Sequence, residues 1–132
     1  MENIQKDYLS EGFPLLNLID FDGFCSQIKN YCCEYDFECC GIATSKNLYF
    51  LENIHPIKNL FFQIDSRKYF NIISKENVLF IWHSHVFGSA DPSDCDVEYA
   101  YDHQHSSLIY SVQDKNFCFF RADPFKSVYF SI

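Results

Sequence analysis

Val78, Leu79, Phe80, Ile81 and Trp82 follow one another without a polar residue between them, and this run constrains the fold more than any other feature of the chain. A strand whose side chains do not alternate has no face to turn to water, so it must be covered on both sides. It therefore reads as the central strand of a sheet with helices packed against it. Spacing supplies those helices. Over residues 22–35, Phe24, Cys25, Ile28, Tyr31 and Cys32 recur at threes and fours as one apolar stripe, with Asp22 placed to cap the first turn. Residues 66–75 carry Tyr69, Phe70, Ile72 and Ile73 in helical order behind Asp65, a good N-cap. A third helix is expected from Ser93 to about His103, since Pro92 disfavours an earlier start.

The central strand also needs neighbours. Residues 38–44 and 48–54 are apolar segments joined by Ser45, Lys46 and Asn47, the pattern of a hairpin. Residues 61–64 read as a short further strand. Residues 108–112 and 117–121 flank a turn of polar residues, and 128–132 form the last strand. The expected architecture is α/β, a single-domain mixed sheet of about six strands flanked by helices. Residues 13–19 are the one apolar patch of an otherwise polar start and read as an arm packing on the domain. The chain thus divides into an N-terminal arm, 1–21, and a domain, 22–132. A length of 132 residues suits one such unit.

Composition excludes several functions. With apolar residues at 48% the chain is far from a disordered composition. A formal charge of −8, with no cluster of Lys or Arg, would repel phosphate backbones, so nucleic acid is not an expected partner. No apolar run approaches the length of a membrane span, and membrane association is not expected. The seven Cys and the absence of a leader-like start point to reduced thiols and a cytoplasmic protein. Cys32 and Cys33 are adjacent, as are Cys39 and Cys40, so neither pair has the spacing with which two thiolates grip one zinc.

Directly after the apolar run come His83, Ser84 and His85, then a Gly/Pro loop, then Ser93 and Asp96. Side chains two apart on a strand point the same way, so both imidazoles can reach one ion. Two neutral imidazoles and one carboxylate give a borderline cation such as Zn²⁺ three ligands and leave a fourth tetrahedral position for a water, whose pKa then falls toward about 7.

These residues resemble the JAMM (MPN+) metalloproteases. That family's pattern is an upstream Glu, then His-Ser/Thr-His, seven residues, Ser, two residues and Asp. His83, Ser84 and His85 match its first block, residues 86–92 are the seven, and Ser93 and Asp96 match its end. Glu38, standing two residues before Cys40 and Gly41, matches the family's glutamate. The likeness covers roughly residues 22–112. The one departure is Val86, where many relatives carry Pro, at a position that binds nothing.

The resemblance implies an MPN fold of the cytidine-deaminase-like kind and one Zn²⁺ per chain on His83, His85 and Asp96. It also implies Glu38 as the carrier of the water's proton and Ser93 as a donor to the oxyanion. The implied activity is hydrolysis of an amide bond at the C-terminal tail of a ubiquitin-like or similar protein, an isopeptidase or deubiquitinase-like role that includes bacterial antiphage conjugation systems. Within the compact prokaryotic and phage branch the alternative is a tail-assembly peptidase. From another class, the alternative is a non-catalytic MPN scaffold, which requires lost ligands. Oligomeric state is left open.

Competing readings attach to single residues. Ser93 and Asp96 also spell a capping box; Ser93 can serve both purposes, whereas Asp96 is expected not to combine them easily. Glu34 competes with Glu38 but lacks the Cys-Gly context. His103 and His105 form a second His-x-His at a helix end, where capping or exposure is expected. Trp82 is expected in the core. Phe61 and Phe62 either pack the core or present a ring to a substrate tail.

Overall fold

The computed structural model describes residues 12–132. Six strands form one mixed sheet in the order β2-β1-β3-β4-β5-β6, where β1 is Cys40–Thr44, β2 Leu48–Leu51, β3 Val78–His85, β4 Ser107–Ser111, β5 Asn116–Ala122 and β6 Phe125–Phe130. The helices are α1 (Phe21–Cys32), α2 (Ser66–Ile73) and α3 (Asp94–His103), preceded by a short 3₁₀ helix, Pro14–Leu18. The apolar run does become an interior strand: β3 lies between β1 and β4, antiparallel to the first and parallel to the second. A parallel pair needs a crossover, and α3 supplies it.

Residues paired across strands share a face of the sheet, so the register separates two layers. On one face Phe80, Trp82, Leu108, Tyr110, Phe117 and Phe119 pack with Cys25, Ile28 and Cys32 of α1. Phe13 and Leu16 are buried in the same cluster, with the Phe13 and Phe119 rings 4.7 Å apart. On the other face Ile42 and Ile81 meet Ile72 of α2, while Ile109, Cys118 and Phe120 meet Ala100 of α3. Each fully buried aliphatic or aromatic side chain contributes about 1.5–3 kcal/mol, and Phe80, Trp82 and Ile109 are fully buried. The layers exist because β3 has no polar residue before His83.

Gly41 marks the tightest approach. A Cβ there would lie 1.9 Å from the Tyr49 carbonyl oxygen and 2.4 Å from Trp82 Nε1, because the indole donates to that carbonyl at 3.1 Å across the face of Gly41. Trp82 is accordingly a core residue on the face opposite His83.

Several expectations are corrected. Asp20, not Asp22, caps α1: its carboxylate accepts from Gly23 N at 3.0 Å, and the helix starts at Phe21, which puts Asp22 inside the first turn. Residues 61–64 are not a strand: the Asn53 side chain takes the Phe61 carbonyl and the Gln63 N–H, and the Phe61 N–H and the Gln63 carbonyl pair with the loop residues Ile57 and Ile54. β3 continues through His85, since Ser84 and His85 still pair with Tyr110 and Ser111 of β4. The last strand begins at Phe125 rather than at Val128. Residues 1–11 of the expected arm lie outside the described residues. Among the described residues no helix is long and apolar enough to cross a membrane.

Candidate metal centre

The carboxyl end of β3 carries His83 and His85 toward the face covered by α2 and α3. Ser84 between them turns to the other face, where its hydroxyl accepts from Cys39 N at 2.8 Å. Since α3 is the crossover from β3 to β4, its first turn starts over that end of the strand and brings Asp96 to the two imidazoles. His83 Nε2 lies 3.2 Å from Asp96 Oδ1, His85 Nε2 lies 3.0 Å from Asp96 Oδ2, and the two Nε2 atoms are 3.3 Å apart. Ligands placed tetrahedrally around an ion at zinc-like distances stand about 3.3 Å from one another. The separations and the donor chemistry therefore fit a borderline divalent ion. Among the described residues this is the one group of three or more such side chains able to hold a metal.

The Asp96 carboxylate that faces the two imidazoles also closes a capping box. Its Oδ2 accepts from Ser93 N at 3.0 Å while Ser93 Oγ accepts from Asp96 N at 3.1 Å, a full capping box at the start of α3. A carboxylate has about four lone-pair positions, so the box and the imidazoles are served together. The same helix start that the cap stabilises aims the carboxylate at the imidazoles.

Charge and burial oppose each other here. Burial alone would raise the Asp96 carboxyl, but the charge and hydrogen bond of His83, the hydrogen bond of His85 and the Ser93 amide outweigh it and hold Asp96 well below the usual carboxylate range. Burial would lower His85, yet its bond to Asp96 and the Ser89 carbonyl raise it. That carbonyl lies 2.8 Å from His85 Nδ1. A neutral ring that donates from Nδ1 leaves the Nε2 lone pair for the site. Loop 86–92 is pinned from below: Ser111 Oγ donates to Gly88 O at 2.7 Å, Gly88 N donates to Gln113 Oε1 at 3.0 Å, and the Tyr129 hydroxyl donates to Asp91.

Glu38 precedes β1 and, by alternation with Cys40 and Ile42, belongs to the face of His83. It is 6% exposed, and burial pushes its carboxyl up to about 8, with the charge of His85 opposing and that of Asp96 adding to the rise. Glu34, by contrast, is exposed in the turn after α1. Ser93 is exposed at the rim of the site. His103 Nδ1 donates to Tyr99 O at 2.9 Å, capping its own helix, and His105 faces the Tyr69 hydroxyl at 2.9 Å, so neither joins the centre. Phe62 stacks on the His83 ring, with centroids 4.3 Å apart and planes 20° from parallel. Cys25, Cys32, Cys39, Cys40 and Cys118 are buried, while Cys33 and Cys95 are exposed.

Sequence reasoning missed three contributors: the Ser89 carbonyl at His85, the Ser84 hydroxyl at Cys39 N, and Asn53, whose Nδ2 donates to the Glu38 carbonyl at 2.8 Å. The middle position of His-Ser-His signalled Ser84; nothing local signalled the other two.

A family model described as prokaryotic homologs of the JAB domain matches residues 26–123. The fold is similar to the solution structure of a protein from Desulfitobacterium hafniense, with a TM-score of 0.58, 19% identity, and coverage of 81% of this chain and 84% of that one. Among curated proteins none matches the sequence.

Proposed function

The chain belongs to the prokaryotic homologs of the JAB domain, and from that membership we propose that it is a zinc-dependent metallopeptidase acting on amide bonds at the C-terminal tail of a ubiquitin-like or similar protein. The observation that carries this reading is the convergence of His83, His85 and Asp96 with a buried glutamate on the same face.

Held by those three residues, a zinc ion would polarise the scissile carbonyl and acidify a water to a pKa near neutrality. Glu38, a buried carboxyl on the same face, would be the group that accepts a proton from such a water and hands it to the leaving amine. Ser93 Oγ already accepts from Asp96 N, so its own hydrogen is available to an oxyanion. The Ser89 carbonyl, at His85 Nδ1, keeps that imidazole in its orientation.

The edge of the sheet supports the substrate reading. β2 is an edge strand, and its Leu51 end lies beside Cys40, two residues from Glu38. An extended tail can add to such an edge by main-chain pairing, which gives affinity without reading many side chains. A flexible C-terminal tail therefore suits the site better than a folded loop.

The test has two arms. Metal analysis should find one zinc per chain in the parent and none in His83→Ala/His85→Ala; stoichiometric zinc in that variant would overturn the ligand assignment. Ubiquitin-like proteins fused or conjugated through their tails should be cut at the tail in a chelator-sensitive, zinc-restored manner, mapped by mass spectrometry. Cleavage of unrelated folded proteins with none of extended tails would overturn the substrate reading.

A further inference from the structure

Asn53 is a polar side chain only 3% exposed, and its amide uses every hydrogen bond it can make. Nδ2 donates to the carbonyl oxygens of Glu38 at 2.8 Å and Phe61 at 2.9 Å. Oδ1 accepts from the backbone N–H of His55 and of Gln63, each at 3.0 Å. One orientation of the amide satisfies all four partners, and the flipped one would satisfy none.

The partners are informative. Phe61 and Gln63 flank Phe62, so the amide grips the backbone on both sides of the residue whose ring stacks on His83. The same ring meets Tyr99 edge-on at 5.1 Å, and Tyr99 stands three residues after Asp96 on α3, on the same side of that helix. Glu38 is held twice by this segment: its carbonyl by Asn53 and its N–H by the Lys58 carbonyl at 2.8 Å. The proposed metal ligand His83 and the proposed proton carrier Glu38, distant in the chain, thus share one buried side chain.

We infer that Asn53 is a positioning residue that sets the Phe62 ring against the His83 imidazole and fixes the Glu38 backbone in the same act. This rests on reading His83 as a metal ligand and Glu38 as the proton carrier. Residues that orient a ligand without touching the metal typically change metal affinity by 10–100-fold when lost. Asn53→Ala removes all four bonds and frees the backbone around Phe62. Asn53→Ser keeps a single hydroxyl in their place, and Phe62→Leu removes only the stacked ring.

The experiment starts from the metal-free protein, where the carbon-bound ring protons of His83 are observed by NMR. Stacking under Phe62 shifts them upfield in the parent. Asn53→Ala and Phe62→Leu should both move them downfield, whereas Leu60→Ala, at an exposed position of the same segment, should not. Ile28→Val, on the opposite face, serves as a control that loosens the core without moving them. Zinc affinity, read by competition with a chromophoric chelator, should fall about 10–100-fold in Asn53→Ala and Phe62→Leu and stay at the parent value in Leu60→Ala. The visible spectrum of the Co²⁺-loaded protein should change with it. Should Asn53→Ala not fold, Asn53→Ser is read in the same ways. His83 resonances in the Asn53 variants that coincide with those of the parent would overturn the inference. A parent that binds neither Zn²⁺ nor Co²⁺ would instead overturn the metal-site reading, and the NMR comparison would still decide the role of Asn53.

Discussion

Glu38 and Glu34 show how position on the chain becomes chemistry at the scale of one residue. Glu34 is exposed in the turn after α1, while Glu38 is enclosed and its carboxyl is raised by burial to about 8. Glu38→Gln is expected to retain metal and fold and to lose turnover by about 100-fold or more, the usual contribution of a general acid–base group; Glu34→Ala should stay near the parent rate. Comparing steady-state rates and bound metal in the two variants checks this, and exchanged outcomes would reverse the assignment. A pH dependence follows for the metal-free protein. Between the ordinary value of 4.5 and about 8, the folded state holds a proton on Glu38 that the unfolded state has released, so stability declines as pH rises through that window. Chemical denaturation across pH 5–8 should show a shallower decline in Glu38→Gln than in the parent.

Elements position the site through a helix start and a close strand contact. Ser93 closes the capping box of α3 and stands at the rim of the centre, so its two roles can be separated by substitution. An N-cap Ser replaced by Ala costs about 1 kcal/mol, whereas replacement by Gly costs a few tenths. Both changes remove the hydroxyl, so both should lower turnover to a similar degree, while Ser93→Ala alone should lower the denaturation midpoint noticeably. A Ser93→Gly variant with parental turnover would remove the oxyanion role. In β1 the contact at Gly41 is with a backbone carbonyl as well as an indole. Gly41→Ala must push β2 away or displace Trp82, and overpacking of this kind costs about 1–3 kcal/mol or more. Thermal unfolding should show that loss, and adding Trp82→Phe should not repair it, because the Tyr49 carbonyl stays where it is.

At the scale of the whole molecule, the centre joins β3 to α3, two elements that no metal would hold together in the unfolded chain. An ion that binds the folded state and not the unfolded one stabilises it by about 2.7 kcal/mol at a free concentration 100 times its Kd. Added Zn²⁺ should therefore raise Tm by several degrees, chelator should reverse the rise, and Asp96→Asn should abolish it; a Tm indifferent to zinc would count against the centre. Much of this arrangement was legible from residue order. The unbroken run before His83 required a central strand, the period of two set both imidazoles on one side, and a serine–aspartate pair after Pro92 announced a helix start. These signals are local, carried by neighbours whose spacing is independent of the rest of the chain. What stayed hidden joins distant segments: Asn53 to Glu38, Ser84 to Cys39, Phe62 to His83. That the Asp96 carboxylate meets both imidazoles while closing its capping box was hidden as well, since it depends on where α3 begins relative to the end of β3. Single-chain order specifies which way a side chain points on its own element, but the register between strands and the seating of a helix on the sheet decide what that side chain meets. Those are set by packing the two cores together, and the tertiary structure alone decided them.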